Sequence, residues 1–163
     1  MITKFVLPIL VTFLSLPATC VGQGGITLIA QKMQADPGEE VCMSISASDF
    51  QNMLSMQYSL RWDPQVLSFR GIKNFNLPWL GQENFGTHRA GEGILSVVWI
   101  DNSLQGVSKE NGNALFELCF QVKGSSGSET PIRFVEQPTP FEAVNLQEQV
   151  VGINTVEGRI RVE

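Results

Sequence analysis

The chain has 163 residues, 43% of them hydrophobic and 17% charged, which is the balance of one globular domain rather than a disordered segment. Eleven Lys and Arg against 16 Asp and Glu give a net charge of −5, with no basic block, which argues against nucleic acid or an anionic membrane as partner. One His and three Cys exclude a multi-His or Cys-rich zinc cluster and leave carboxylates as the main choice of general base.

Residues 1–22 differ in composition from the rest. Lys4 is the sole charge before Lys32, an apolar run follows at 5–16, and Pro17, Ala18, Thr19 and Cys20 close it. A positive start, a short apolar core and a small-residue tail predict a secretory signal peptide. The run is too short for a bilayer-spanning helix. Cleavage after Gly22 would leave Gln23 first; cleavage after Cys20 is the other position. A lipoprotein reading would anchor the chain through Cys20, but it needs a Leu three residues earlier, where Pro17 stands. The expectation is therefore a secreted protein with a recognition domain over 23–163, and nothing that spans a membrane.

From Gly25 onward the side chains alternate with a period of two, and helical periodicity is nearly absent. Residues 26–33 read as a first strand, closed by the turn Ala35-Asp36-Pro37-Gly38. In 39–47, Val41, Met43 and Ile45 take one face and Cys42, Ser44 and Ser46 the other. In 54–62, Leu54, Met56, Tyr58, Leu60 and Trp62 face one way until Asp63-Pro64 breaks the strand. A short strand at 66–72 precedes a long irregular stretch, 73–92, with one further short strand near Asn84–His88. In 93–101, Leu95, Val97 and Trp99 oppose Ser96, Val98 and Ile100. Residues 102–113 form a polar loop, and 114–123 alternate again, with Phe116, Leu118, Phe120 and Val122 together. The run GSSGSE makes a turn, and 130–135 and 156–162 close the chain. Eight or nine short strands spaced by turns predict an all-β, two-sheet sandwich in which each sheet buries one face against the other.

Cys42 and Cys119 lie mid-strand, opposite the apolar positions. Export permits a disulfide, and antiparallel neighbours bring Cβ atoms to nearly the required distance. The expectation is that 39–47 pairs antiparallel with 114–122 and that Cys42 bonds Cys119. The other reading is two free surface thiols. A metal or catalytic role finds no His or third Cys nearby in sequence.

Four segments carry a family resemblance. MQYSLRWDPQVLSF resembles the cohesin signature, an alternating strand that ends in aromatic-Asp-Pro and continues x-Val-Leu-x-Phe. ILSVVWIDNS, ALFELCFQVKGSSG and GRIRV resemble three later cohesin strands. The match runs from about Gly25 to Val162, and carbohydrate-binding modules of the same superfamily share the pattern. The resemblance implies a nine-stranded jelly roll with no catalytic role and no cofactor. It also implies a dockerin-type protein partner, bound on a flat sheet face in polysaccharide degradation or cell-surface assembly. Carried over by position, that face holds Ser55, Gln57, Ser59, Ser96, Val98, Ile100 and Asp101. The alternation agrees on one point: Val98 and Ile100 oppose Trp99 and should be exposed, unless the 73–92 loop covers them. The chain has no dockerin-like Asp-x-Asn-x-Asp calcium loop, no linker and no catalytic module, so a free-standing module is expected.

The alternative function is direct polysaccharide binding. Trp62 and Trp99 fall on apolar faces and read as core, which leaves Trp79, in NLPWLG, as the glycan contact, with Phe75 and Phe85 in the same segment. A hydrolase is disfavoured by the lone His88 and the lack of a nucleophile motif. Asp63 reads as a turn cap, and Asp36 and Asp101-Asn102 offer no fixed metal-ligand set.

Overall fold

The alternation of apolar and polar side chains is resolved by stacking two sheets. The computed structural model describes residues 24–163. The expected signal segment, its cleavage positions and Cys20 lie outside the described residues. Thirteen strands are present: β1 (Ile26–Ala30), β2 (Lys32–Ala35), β3 (Glu40–Ser48), β4 (Met53–Arg61), β5 (Leu67–Lys73), β6 (Phe85–Gly86), β7 (Ile94–Ile100), β8 (Ala114–Val122), β9 (Glu129–Val135), β10 (Glu142–Asn145), β11 (Val150–Val151), β12 (Ile153–Val156) and β13 (Gly158–Val162). The helical content of the described residues is two single turns of 3-10 helix in the β5–β7 connection.

One sheet has the order β12-β1-β3-β8-β5. The other has the order β11-β10-β4-β9-β13-β2, with β7 also paired to β4 and β6 to β7. Strand β4 organises this second sheet. One edge pairs with β7 from Ser55 to Arg61. The other is shared, with β10 along Met53–Gln57 and β9 along Ser59–Arg61.

Inward side chains of both sheets meet in one core. Met43 and Phe120 from the first sheet and Tyr58 and Val97 from the second have no exposed surface. Trp62 packs on Phe120 with ring centroids 5.1 Å apart, and Trp99 packs on Phe50 at 5.8 Å. Trp99 also donates its indole N–H to the Pro78 carbonyl at 2.8 Å, which ties the long β5–β6 connection to the core. A fully buried Phe or Leu contributes about 1.5–3 kcal/mol, so the paired faces drive the fold.

Two sequence expectations are corrected here. Residues 26–33 are not one strand. The chain changes sheets at Gln31, whose N–H donates to Ser44 of β3 while its carbonyl accepts from Arg159 of β13. The inward positions record this as a slip in phase, from Ile26, Leu28 and Ala30 to Met33 and Ala35. The second concerns 136–155, a stretch to which the periodicity assigns no strand. It supplies β10, β11 and most of β12, strands of four, two and four residues, too short for alternation to reveal.

Cys42 and Cys119 face each other directly across β3 and β8 and are bonded, with Cα atoms 4.0 Å apart. The alternation turns both sulfurs to the outer face of the five-stranded sheet.

Candidate partner-binding face

The outer surface of the eight-stranded sheet is set by the inward residues of β4 and β7. Because Met56, Tyr58, Val97 and Trp99 point into the core, their neighbours point out. Register then aligns those neighbours into rows across the strands. Ile100 of β7 lies opposite Ser55 of β4, Ser55 opposite Val144 of β10, and Val144 opposite Val150 of β11. The next row is Val98, Gln57 and Glu142.

Val144 is half-buried, and the other apolar members of these rows are open to solvent. Val98 is 41% exposed, Ile100 51% and Val150 73%. Two loop residues extend the patch: Leu104, at 63%, and Leu146, at 36%. A Cβ built on Gly106 would sit 3.3 Å from that of Leu146, which places the β7–β8 loop against the β10–β11 turn. The 73–92 connection does not cover the patch; its contact here is Asn84, whose side-chain amide donates to the Val98 carbonyl at the strand edge. Contiguous exposed apolar side chains on a flat, hydrogen-bonded sheet suit a protein partner.

Of the residues expected on this face, Ser55, Gln57, Ser96, Val98 and Ile100 lie on it with at least partial exposure. Ser59 and Asp101 do not: both are fully buried. The Ser59 hydroxyl donates to the Thr139 carbonyl at 3.1 Å and accepts the Thr139 N–H at 2.9 Å, so the β9–β10 connection lies over it. Asp101 turns its carboxylate back into its own loop. It accepts from the Ser103 hydroxyl at 2.6 Å and from the N–H groups of Ser103, Gln105 and Gly106 at 2.9–3.1 Å. The Ser103 hydroxyl bond, followed by these backbone bonds, holds its carboxyl below the usual carboxylate range. Asp101 therefore shapes the loop that displays Leu104 and offers no exposed surface of its own.

Sequence reading missed Val144, Leu146 and Val150, since the two strands are so short and Leu146 sits in the turn between them. The signal available was Asn145. Its side-chain oxygen accepts from the N–H groups of Gln147 and Gln149, both at 3.0 Å, the turn-forming habit of Asn between two strands.

Trp79 is 55% exposed and has a left-handed backbone, with φ of +63°. It stands alone. Phe75 and Phe85 pack on each other in a tilted pair at 5.9 Å, and Phe85 packs edge-on against Phe116 of the core at 5.0 Å, so neither joins Trp79 in a sugar-stacking platform. His88 is exposed, and Asp63 caps its turn by accepting the Gln65 N–H at 2.8 Å. Among the described residues no group of three or more His, Cys, Asp or Glu is placed to hold a metal ion.

A family model for the cohesin domain matches residues 26–160, nearly all of the described chain. The chain belongs to the cohesin domain family. Solved cohesins share its fold at low identity. The OlpA cohesin of Clostridium thermocellum, solved in complex with a dockerin, is 16% identical with a TM-score of 0.72, covering 86% of this chain and all of that one. The sixth scaffoldin B cohesin of Acetivibrio cellulolyticus, in complex with a Cel5 dockerin, is 18% identical with a TM-score of 0.72, covering 85% and 99%. A non-cellulosomal cohesin from the archaeon Archaeoglobus fulgidus is 18% identical with a TM-score of 0.61, covering 86% and 92%. A search of curated proteins returned no match. No helix of the described cohesin domain is long and apolar enough to cross a membrane.

Proposed function

We propose that this cohesin domain is a non-catalytic recognition module that binds a dockerin-type protein partner through the outer face of the eight-stranded sheet. The observation that carries the reading is the apolar row Ile100, Val144 and Val150, with Val98 beside it. Related cohesins have been solved with dockerins bound, which supports the class of partner. Extracellular assembly, in polysaccharide breakdown or at a cell surface, belongs to the same proposal. The Cys42–Cys119 bond fits an oxidising compartment, and the signal-like segment at 1–22 fits export.

The test is binding of the purified protein to dockerin modules taken from its own secretome. Val98→Asp, Ile100→Asp and Val150→Asp each place a charge in the centre of the patch. Each should weaken binding about thirtyfold or more, the effect of losing a buried anchor worth 2 kcal/mol. Trp79→Ala should leave binding unchanged. Wild-type affinity in the three Asp variants would remove this face from the proposal. Recovery of polysaccharide alone, lost on Trp79→Ala, would favour the carbohydrate-binding alternative.

A further inference from the structure

The same sheet carries a second surface, of opposite character. On β9, β13 and β2 and the end of β4, five outward side chains are cations, Arg61, Arg133, Arg159, Arg161 and Lys32, with Glu129, Pro131, Val135 and Gln34 among them. Arg61 of β4 lies directly opposite Arg133 of β9. Arg159 of β13 lies directly opposite Lys32 of β2, and Arg161 follows one outward position along. Like charges facing each other across strands destabilise a sheet. Here two such pairs share one face in a protein whose net charge is −5. Each pair borders a shallow depression. One of about 330 Å³ is lined by Arg61, Arg133 and Pro131 together with Asp63, and one of about 340 Å³ by Arg159, Lys32 and Arg161 together with Glu129, so cations outnumber carboxylates in both.

The neighbouring carboxylates only partly neutralise this face. Glu157 pairs with Arg133 at 3.2 Å and Glu129 with Arg159 at 3.4 Å, both pairs well exposed. Asp63 turns its carboxylate to the Gln65 N–H, and Glu163 accepts from Gln34. Arg61 lies within the field of Glu92, but Arg61, Lys32 and Arg161 make no ion pair among the described residues.

We propose that this basic face binds an acidic polysaccharide, a polymer that repeats a carboxylate along a stiff chain. The two depressions are two strand spacings apart, roughly 10 Å. A repeating polyanion engages both at once and gains from the linkage, whereas a single small anion fills one. A stiff sugar chain loses less freedom on binding than a flexible acidic peptide. A nucleic acid strand would want stacking rings, and a membrane would want apolar side chains to insert. The exposed large apolar residues are Trp79, Val98, Ile100, Leu104, Leu146, Val150 and Val156, none of them on β2, β9 or β13. This surface is separate from the proposed partner-binding rows and does not rest on that reading.

The test is affinity electrophoresis of the protein through gels containing polygalacturonate, xylan or poly-glutamate. Polygalacturonate should retard the protein, less so as ionic strength rises. The double variant Arg61→Gln/Lys32→Gln should weaken retardation about tenfold, since each lost Arg or Lys contact to a carboxylate is charge-assisted. Arg70→Gln/Lys73→Gln removes the same charge from β5 on the other sheet and should leave retardation unchanged, as should Val150→Asp. Matching circular dichroism melts would show that all variants fold. No retardation by polygalacturonate, or equal loss in the β5 variant, would overturn the proposal. Equal retardation by neutral xylan would also overturn it, and by poly-glutamate would overturn the polymer class.

Discussion

Tyr58 carries a hydroxyl into the sandwich interior. The residue has no exposed surface, its ring packs on Phe134 at 5.6 Å, and its oxygen finds no hydrogen-bond partner among the described residues. Burial pushes its pKa up, so the phenol stays neutral at any ordinary pH. A desolvated, unpaired hydroxyl costs free energy, whereas the ring contributes by packing. Tyr58→Phe should therefore leave stability unchanged or raise it by about 1 kcal/mol. Urea unfolding would read this as an equal or higher midpoint at constant slope. A loss above that size would mean that the hydroxyl has a partner in solution. Tyr58 was legible as core in the sequence, because Met56, Leu60 and Trp62 share its phase. Ser59 and Asp101 were not legible as buried. Alternation tells which side of a sheet a residue faces, but what lies over that side is decided by segments far away, Thr139 in the first case and a tight loop in the second.

At the scale of elements, the turn into β7 depends on one glycine. Gly93 has φ of +77°, and its carbonyl accepts the Trp62 N–H at 3.0 Å. A Cβ added there would meet the Trp62 carbonyl oxygen at 2.2 Å. Gly93→Ala thus combines a left-handed backbone with a collision against fixed main chain. It should cost about 3 kcal/mol, visible as a lower urea midpoint. Only a small loss would mean that the β4–β7 edge can open without disturbing the core. The long strands β3, β7 and β8 were readable from seven to nine residues of alternation, and β4 from Met56 onward; at its start the expected inward Leu54 gives way to Met53, because the register with β10 shifts there. The β10–β11 hairpin was not, since two- and four-residue strands carry almost no periodic signal and are held by pairing to β4. Three of the seven residues in the proposed partner-binding rows, Glu142, Val144 and Val150, were hidden for that reason.

For the whole molecule, the disulfide joins the central strand of the five-stranded sheet, β3, to its neighbour β8 across 77 residues of sequence. Closing a loop of that length in the unfolded chain is worth roughly 4 kcal/mol in the chain-entropy description. Cys42→Ala/Cys119→Ala should lower unfolding free energy by an amount approaching that figure in guanidinium titrations. Partner binding should persist in the folded fraction, because the bridge lies on the sheet opposite the binding rows. A change below about 1 kcal/mol would show that the unfolded chain is already compact around these strands.

Two-residue periodicity alone determined that the chain is all-β and which faces of its long strands turn inward, because inward and outward positions are local properties of an extended backbone; that Cys42 bonds Cys119 was decided by strand order and register. Tertiary structure decided what stands next to what on the outside. Val144 and Val150 join Ile100, and Lys32, Arg61, Arg133, Arg159 and Arg161 gather on one face, although no segment of the sequence is basic. Outward positions carry no periodic mark of their neighbours, so only strand order and register, set by the packing of the two sheets, bring such residues together.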